Sequence, residues 1–356
     1  MTSSGGLVIM LSSFLCLFLF PFALINIILK QWWTPTRVQK LMGRQGIKGP
    51  SYRLVHGNAK QILDMKNEAM SRPKSLSHDL FPLVQPHYNL WCKIYGNIFL
   101  QWYGTVPQLV IMEPELCKEI LNNKDRVYLQ VELQGFSKKL LGNGLGTAEG
   151  EHWAKLRKVA NHSFHGESLK NMIPDMITSV EEMLQRWKNH EGKEVEVNQE
   201  FMLLTSEVIS KTAFGSSYVE GKNIFEMLTK LSSLLFKNVY TFRLLGISNL
   251  FKTSDEIEGD KIEKEVRRFI LLEQETTNGL LAWTVFLLAL HPDWQEEARK
   301  EVLQLFGKQN PNPDGIARLK TMSMIINETL RLYPPVVQLI RKTGREVRLG
   351  KHDCPC

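Results

Sequence analysis

The sequence contains few cysteines, no internal repeat and no low-complexity tract. Only five of its 356 residues are cysteine, an odd number, and one of them, Cys16, lies in an apolar stretch. A framework of disulfides is therefore not expected, as in proteins that face a reducing compartment. With 43% hydrophobic and 23% charged residues, the composition excludes disordered and fibrous classes and predicts a globular body with a large buried core.

Charged residues are absent from Met1 to Leu29. Within this region, Leu7 to Leu29 is an almost continuous apolar run, and about 20 apolar residues suffice to span a bilayer. The alternative is a cleaved signal peptide, but its apolar core is usually shorter, and no Ala-x-Ala-like site follows here. We therefore expect residues 1–30 to form a transmembrane anchor, with Trp32 and Trp33 at the membrane interface.

Basic residues follow this run with no acidic residue among them: Lys30, Arg37, Lys40, Arg44, Lys48 and Arg53. Such a bias predicts that the body faces the cytosol. It also contributes to the net charge of +7 and the isoelectric point near 9.0, so that no nucleic-acid partner is needed to explain them. Gly43, Gly46, Gly49 and Pro50 predict that residues 31–52 form a basic hinge before a body at residues 53–356.

The body is expected to be mostly α with a minor β-sheet. Two aliphatic and aromatic runs, Tyr95–Gly104 and Gln108–Met112, predict a β-hairpin. Beyond Glu113, apolar residues recur every three or four positions, which predicts helices. The predicted helices are Pro114–Leu121, Glu151–Ala160, Leu169–Trp187, Asn198–Phe214, Asn223–Lys237, Lys261–Leu272, Thr276–His291, Pro292–Leu305 and Met322–Leu332.

Near the C-terminus, Asn327–Pro335 combines a Glu-x-x-Arg helix with a Tyr-Pro-Pro stop. This segment resembles the helix K signature of cytochrome P-450 monooxygenases. Segments similar to three further signatures of that family occur in the family's order: Trp153–Lys158 for helix C, Gln274–Thr277 for helix I and Leu288–Pro292 for the start of helix J. Gly46–Pro50 and Thr212–Tyr218 narrow the resemblance to the plant clan that includes brassinosteroid-inactivating hydroxylases.

The resemblance covers roughly residues 30 to 350. It implies an incomplete cytochrome P-450 fold that is preceded in the chain by one transmembrane helix. It implies a haem cofactor, a hydrophobic small-molecule substrate, an NADPH-cytochrome reductase as partner, and attachment to the lipid of the endoplasmic reticulum membrane. Trp153, Arg157 and Arg341 would face the haem propionates, because buried carboxylates need cations and donors. The alternative is an amphipathic helix with a core tryptophan and surface arginines.

Glu275 and Thr276 would, by the same resemblance, deliver the protons that cleavage of the O–O bond requires. The alternative is a solvent-facing Glu-Thr pair. The family places small residues just before this pair, whereas this chain has Leu272 and Glu273. Since Lys261–Phe269 resembles a segment that normally lies well upstream, we expect an internal stretch to be missing, with a junction between Phe269 and Gln274.

Glu328 and Arg331, three positions apart, can pair on one helix face. The spacing alone is weak, because it recurs at Glu265/Arg268 and Glu296/Arg299. In the family the corresponding pair is buried and organises the scaffold beneath the haem, so that its expected role is structural.

The iron ligand of the family is a cysteine in a Phe-x-x-Gly-x-x-x-Cys-x-Gly loop, and this signature occurs nowhere in the sequence. Cys354 and Cys356 lack the surrounding glycines and aromatic residue, and His162 and His165 have no partners placed for a zinc site. No metal ligand is therefore expected. Three interpretations remain: a monooxygenase whose chain as written is inactive, a non-catalytic membrane product that competes for the reductase, or a membrane-tethered helical binding protein without haem.

Overall fold

The computed structural model describes residues 21–22, 24–72, 78–123, 126–132, 144–214, 273–350 and 352–354. Most of the predicted anchor and the predicted helices Asn223–Lys237 and Lys261–Leu272 lie outside these ranges, as do Cys16 and Cys356. Among the described residues, no helix has the length and apolar character needed to cross a membrane.

Helices dominate the described chain and strands are short, which confirms the mostly α class with a minor sheet. The helices are α1 (Thr34–Arg44), α2 (Ala59–Ser71), α3 (Phe81–Val84), α4 (Pro86–Tyr95), α5 (Pro114–Asn122), α6 (Gly150–Ser163), α7 (Gly166–Lys188), α8 (Val197–Ile209), α9 (Glu273–Leu290), α10 (Pro292–Phe306), α11 (Pro313–Ile316) and α12 (Lys320–Leu332). The strands are β1 (Ile98–Tyr103), β2 (Val106–Ile111), β3 (Tyr128–Gln130), β4 (Arg341–Thr343), β5 (Val347–Leu349) and β6 (His352–Cys354). Leu29–Trp33 and Ser210–Phe214 are π-helical.

The chain divides into two compact units. The first contains residues 1–129, 237–252 and 342–356, and the second contains residues 130–236 and 253–341. Each is described by itself.

The first unit is organised around the predicted hairpin, which is confirmed: β1 pairs antiparallel with β2, from Ile98↔Ile111 to Tyr103↔Val106. Successive side chains of a strand point to opposite faces. Leu100 and Trp102 accordingly pack in one cluster with Met42 and Ile47. Phe99 lies in a second cluster with Ile62, Tyr88 and Trp91. Burial on both faces makes β1 the core strand of this unit.

The glycine-rich segment after α1 lies against β1. Helix α1 runs through Gly43 and ends at Arg44, with Gln45 as its C-cap, and Ile47 then donates its N–H to the Met42 carbonyl at 3.0 Å. The Lys48 carbonyl accepts from the Leu100 N–H at 3.0 Å. At Gly49, a Cβ would lie 1.9 Å from the Leu100 carbonyl oxygen. Position 49 therefore requires glycine, because the backbone of this segment lies too close to the backbone of β1 for a side chain to fit.

We expect Gly49→Ala to lower the free energy of unfolding of this unit by about 1–3 kcal/mol, because the new methyl group must displace backbone. Gly43→Ala is the matched control, since a Cβ at Gly43 meets nothing within 4 Å and alanine favours a helix by up to about 1 kcal/mol. Urea unfolding of the two variants measures both effects. Equal stability of the two variants would contradict the close approach at position 49.

A buried histidine lies in the second cluster of this unit. His87 is 2% exposed and packs against the rings of Tyr88 and Trp91, with ring centroids 4.1 Å and 5.5 Å away. Among the described residues, its Nδ1 has no hydrogen-bond partner. Burial, with a smaller contribution from the charge of Lys66, lowers the pKa of His87 to about 3. The imidazole is therefore neutral at physiological pH.

Because the pKa of His87 is lower in the folded than in the unfolded chain, the unfolded chain takes up a proton first as the pH falls below the unfolded value. The free energy of unfolding therefore falls towards acid pH, and His87 accounts for about 1 kcal/mol of that fall between pH 7.5 and 5.5. We expect His87→Phe to remove that part of the pH dependence in urea unfolding. An identical slope in wild type and His87→Phe would refute the assignment.

The second unit packs α7, α8 and α9 around a small apolar cluster. Met183, Phe201 and Leu204 are buried there, with Leu281 packed against them. At the edge of this cluster Arg186 pairs with Glu200 at 3.0 Å. The predicted helices at Leu169–Trp187 and Asn198–Phe214 are thereby confirmed, although the last turn of the second is π-helical.

Helices α2 and α4 were not predicted from the sequence. In α2 only Ala59, Ile62 and Ala69 are buried, and in α4 the buried positions are His87, Tyr88 and Trp91. Small and polar residues at buried positions weaken the apolar period on which a helix prediction depends.

Candidate functional site

Three helices of the second unit carry most of the residues nominated from the sequence. Helix α6 contains Trp153 and Arg157, α9 contains Glu275 and Thr276, and α12 contains the remaining pair, Glu328 and Arg331. Arg341 follows α12 at the start of β4.

Helices α9 and α12 pack directly on each other through aromatic rings. The rings of Trp283 and Tyr333 are stacked, with centroids 4.1 Å apart and planes inclined by 17°. Phe286 meets Trp283 edge-on at 5.7 Å. Burial of Tyr333 raises the pKa of its phenol. Tyr333, the tyrosine of the Tyr-Pro-Pro stop, therefore packs the end of α12 against α9, the helix that contains Thr276.

A buried pair of hydroxyl groups lies at the same contact. Thr284 of α9 and Thr329 of α12 place their Oγ1 atoms 3.4 Å apart. Each hydroxyl also donates to a carbonyl one turn earlier in its own helix, to Leu280 at 2.7 Å and to Ile325 at 2.9 Å. Both hydroxyls are thus satisfied although buried, as buried polar groups must be. Sequence reasoning missed this pair; its only signal is a threonine within the apolar run of each helix.

The N-terminal half of α9 contacts α8 through Asn278. This side chain is 9% exposed and donates to Asn198 Oδ1 at 3.2 Å, while its own Oδ1 is buried without a partner. Thr276 lies two positions earlier and is half-buried. The side chain of Glu275 is outside the described part of the chain.

Glu328 and Arg331 form a bidentate ion pair, with hydrogen bonds of 2.6 Å and 2.7 Å. The hydrogen bonds from Arg331 hold the pKa of the Glu328 carboxyl below its usual value. The side chains are 52% and 67% exposed, which differs from the buried environment expected for this pair. Because the pair lies within one helix and faces solvent, we expect it to stabilise the fold weakly.

A carboxylate on α10 caps the start of α12. Glu301 accepts hydrogen bonds from the backbone N–H groups of Lys320 and Thr321, both at 2.8 Å, and of Met322, at 3.1 Å. Leu319, the residue before the helix, supplies no side-chain cap. Burial opposes the charge on Glu301, but the backbone donors outweigh it and lower the pKa of the carboxyl. This anion at a helix N-terminus also complements the helix dipole.

We expect Glu301→Gln to speed hydrogen exchange at the amides of Lys320, Thr321 and Met322 and to lower the Tm at pH 7. Because the pKa of Glu301 is lowered by folding, its stabilisation is present above the unfolded value and is lost as the pH falls through the folded value. Wild type and Glu301→Gln should therefore converge in acid. The control is Glu297→Gln, which removes an exposed carboxylate of the same helix. Equal exchange in the two variants would count against the cap.

The three residues nominated for the propionates are solvent-accessible. Trp153 is 42% exposed and Arg157, one turn further along α6, is exposed as well. Arg341 is exposed and donates only to the Ile340 carbonyl, at 2.9 Å. Within the described ranges, no hydrogen bond or ion pair joins these three side chains to one another. Their N–H donors are thus available to an external carboxylate, which suits propionate groups.

The described side chains do not supply a sulfur ligand for iron. Cys92 and Cys117 are half-buried, and their Sγ atoms approach Asn97 Oδ1 at 3.1 Å and the Ile111 carbonyl at 3.5 Å. Among the residues that the structure describes, no three His, Cys, Asp or Glu side chains are grouped as metal ligands. Exposed N–H donors at Trp153, Arg157 and Arg341 are chemically suited to carboxylates, whereas the described residues include no cluster of ligands placed for iron.

A shallow depression of about 320 Å³ lies at the corner between α6 and α7. It is lined by His162, His165, Glu167, Ser168 and Asn171. His165 Nδ1 already accepts from the Glu167 N–H at 3.4 Å, which caps α7. The depression therefore contains a helix cap and includes none of the residues nominated for haem or oxygen chemistry.

Comparisons with known proteins agree with the motifs. The family model for cytochrome P-450 matches residues 84–267 and 247–356. A cytochrome P-450 of Panax ginseng, CYP749A22, is 46% identical over 400 residues, which cover 97% of this chain and 76% of the relative. Cytochrome P-450 734A1 of Arabidopsis thaliana and secologanin synthase 1 of Catharanthus roseus are each 34% identical, over 91% of this chain and 73% of the relative.

Proposed function

The chain belongs to the cytochrome P-450 family, and we propose that it is a membrane-anchored haem-thiolate monooxygenase of which residues 1–356 do not by themselves carry out turnover. The observation that carries this proposal is the packing of α9 on α12 through Trp283, Tyr333, Thr284 and Thr329. That contact joins the segments that resemble helices I and K of the family. A haem, when bound with its thiolate, supplies the activation of dioxygen.

Trp153 and Arg157 are proposed to donate to one propionate edge of the haem, with Arg341 as a third donor. Their support is chemical: residues four apart on a helix share a face, and their indole N–H and guanidinium groups are exposed. Charge-assisted hydrogen bonds from guanidinium to carboxylate are among the stronger ones in proteins. Glu328 and Arg331 are proposed to act structurally, as a pair whose exposed surface is available for further contacts.

Glu275 and Thr276, at the start of α9, are the candidates for proton delivery that the resemblance to the family suggests. The half-buried position of Thr276 suits this role. The neighbouring sequence does not, because Glu273 begins the helix where the family has a small residue. For this reason no proton-transfer step is assigned to these residues in the present chain.

Two findings support an internal stretch missing near Phe269. The family model matches in two pieces that overlap at residues 247–267, as expected where a chain skips part of the family pattern. The alignment with the ginseng relative extends over 400 positions, more than the 356 residues of this chain. Both findings point to family residues that have no counterpart here.

The proposed lack of turnover by residues 1–356 rests on the sulfur donor, which this sequence does not contain. The Phe-x-x-Gly-x-x-x-Cys-x-Gly signature does not occur in the 356 residues. Without a thiolate on iron, the electron donation that favours O–O cleavage is lost. A hydrophobic substrate and a reductase remain the expected partners of the family's full-length members, and the anchor at residues 1–30 remains a prediction.

We expect the polypeptide of residues 1–356, mixed with haem, reduced and treated with CO, to show no thiolate-type Soret band. The same measurement on the full-length ginseng relative serves as the positive control. A thiolate-type band from residues 1–356 would overturn the proposed inactivity. If haem binds without that band, Trp153→Phe/Arg157→Gln should weaken haem retention, and unchanged retention would remove these residues from the propionate role.

A further inference from the structure

We propose that the chain forms a homodimer in which two copies of α7 pack antiparallel about a two-fold axis, through an exposed apolar stripe. The stripe consists of Leu169, Ile173, Met176, Ile177, Val180 and Leu184. The inference goes beyond the proposed function, because it requires neither haem nor the membrane anchor. All of its observations come from α7, which lies entirely in the second unit.

Two neighbouring faces of α7 are apolar. The first contains Ser179 and Met183, which are buried, and Met183 packs with Phe201 and Leu204 of α8. The stripe forms the second face and is about 22 Å long. Four of its residues are 36–45% exposed, and its two isoleucines are half-buried. A continuous exposed apolar strip of this kind is typical of an interaction surface.

The stripe is symmetric about its midpoint. Leu169 and Leu184 lie at equal distances from that point along the helix, and so do Ile173 and Val180. In a two-fold interface, residue i of one copy contacts residue j of the other, and j contacts i. Antiparallel pairing of α7 therefore places Leu169 on Leu184 of the second copy and Ile173 on Val180, with Met176 close to the axis.

The charges beside the stripe favour the same arrangement. Lys170 and Glu181 are exposed, and within the described part of the chain neither forms an ion pair. They are eleven positions apart, which is close to three full turns, so both lie on one flank of the stripe. When two helices pair antiparallel about a two-fold axis, equal flanks meet. Lys170 then faces Glu181 of the second copy, within about 3 Å along the helix axis.

This charge pairing also selects the orientation. In a parallel pair of α7 helices, the flank with Lys170 and Glu181 meets the opposite flank of the second helix, and the two complementary charges do not face each other. Complementary charges across an interface fix its register and disfavour wrong arrangements. The apolar symmetry and the charges therefore agree on one partner, which is a second copy of the chain.

The first test measures self-association of the full chain in detergent by sedimentation over a series of concentrations. Leu184→Glu places a carboxylate in the stripe twice per dimer and should raise the dimer dissociation constant by at least about tenfold. The matched control is Thr178→Glu, which adds the same charge at an exposed position on another face of α7. A chain that stays monomeric throughout the series, or equal association of the two variants, would refute the interface.

Charge reversal tests the antiparallel orientation in the same assay. Lys170→Glu brings carboxylates face to face at both ends of the stripe and should weaken association by about threefold or more. Adding Glu181→Lys restores opposite charges across the interface and should recover the wild-type dissociation constant. A double variant no tighter than Lys170→Glu alone would overturn the antiparallel arrangement.

Cross-linking by an added oxidant locates the axis. Because Met176 lies next to the axis, Met176→Cys should form a disulfide with its own counterpart and give several times more covalent dimer than wild type. Leu184→Cys is the control, since its counterpart lies about 22 Å away along the helix, and it should give no more dimer than wild type. Equal yields from the two variants would contradict the two-fold axis, and so would a stripe occupied by detergent or lipid, which predicts no difference between them.

Discussion

The contact between α9 and α12 is the constraint on which the second unit's candidate site depends. A stacked pair, Trp283 on Tyr333, and a buried hydroxyl pair, Thr284 and Thr329, fix both the distance and the rotation of the two helices. Each hydroxyl is satisfied by a carbonyl of its own helix, so the threonine pair contributes close packing at a buried contact and leaves no polar group unpaired. The position of α12, and with it the Glu328–Arg331 pair, follows from this contact.

Helix α12 is held at both of its ends by groups outside it. Glu301 of α10 binds the first backbone N–H groups, and Tyr333 anchors the last turn on α9. A face of the helix other than the one that buries Thr329 presents Glu328 and Arg331 to solvent. A surface pair of this kind contributes little to stability, so the ends of the helix, and not its best-known motif, determine where it lies.

Local patterns predicted much of this structure. The three- and four-residue period located α7, α9 and α10, and the two apolar runs located the hairpin. The spacing of Glu328 and Arg331 predicted their pairing, but exposure depends on what packs nearby and is not encoded in spacing. The cap by Glu301 joins positions 19 to 21 residues apart, and the pairing of Thr284 with Thr329 joins positions 45 apart. Such contacts depend on how helices cross, which no local pattern contains.

A glycine in the sequence can indicate either a flexible segment or a close approach between two backbones, and these are opposite structural predictions. A Gly- and Pro-rich segment after an apolar run predicts a flexible hinge, yet at position 49 the absence of a side chain allows the backbone to touch β1. Flexibility and close approach both require glycine, and only the neighbouring backbone distinguishes them. The hydrogen bonds of Tyr52 to Gln31 and Gln39 also indicate a fixed segment and not a flexible hinge. The segment that contains Gln31 and Gln39 is therefore held against the hairpin, whose core strand is buried on both faces.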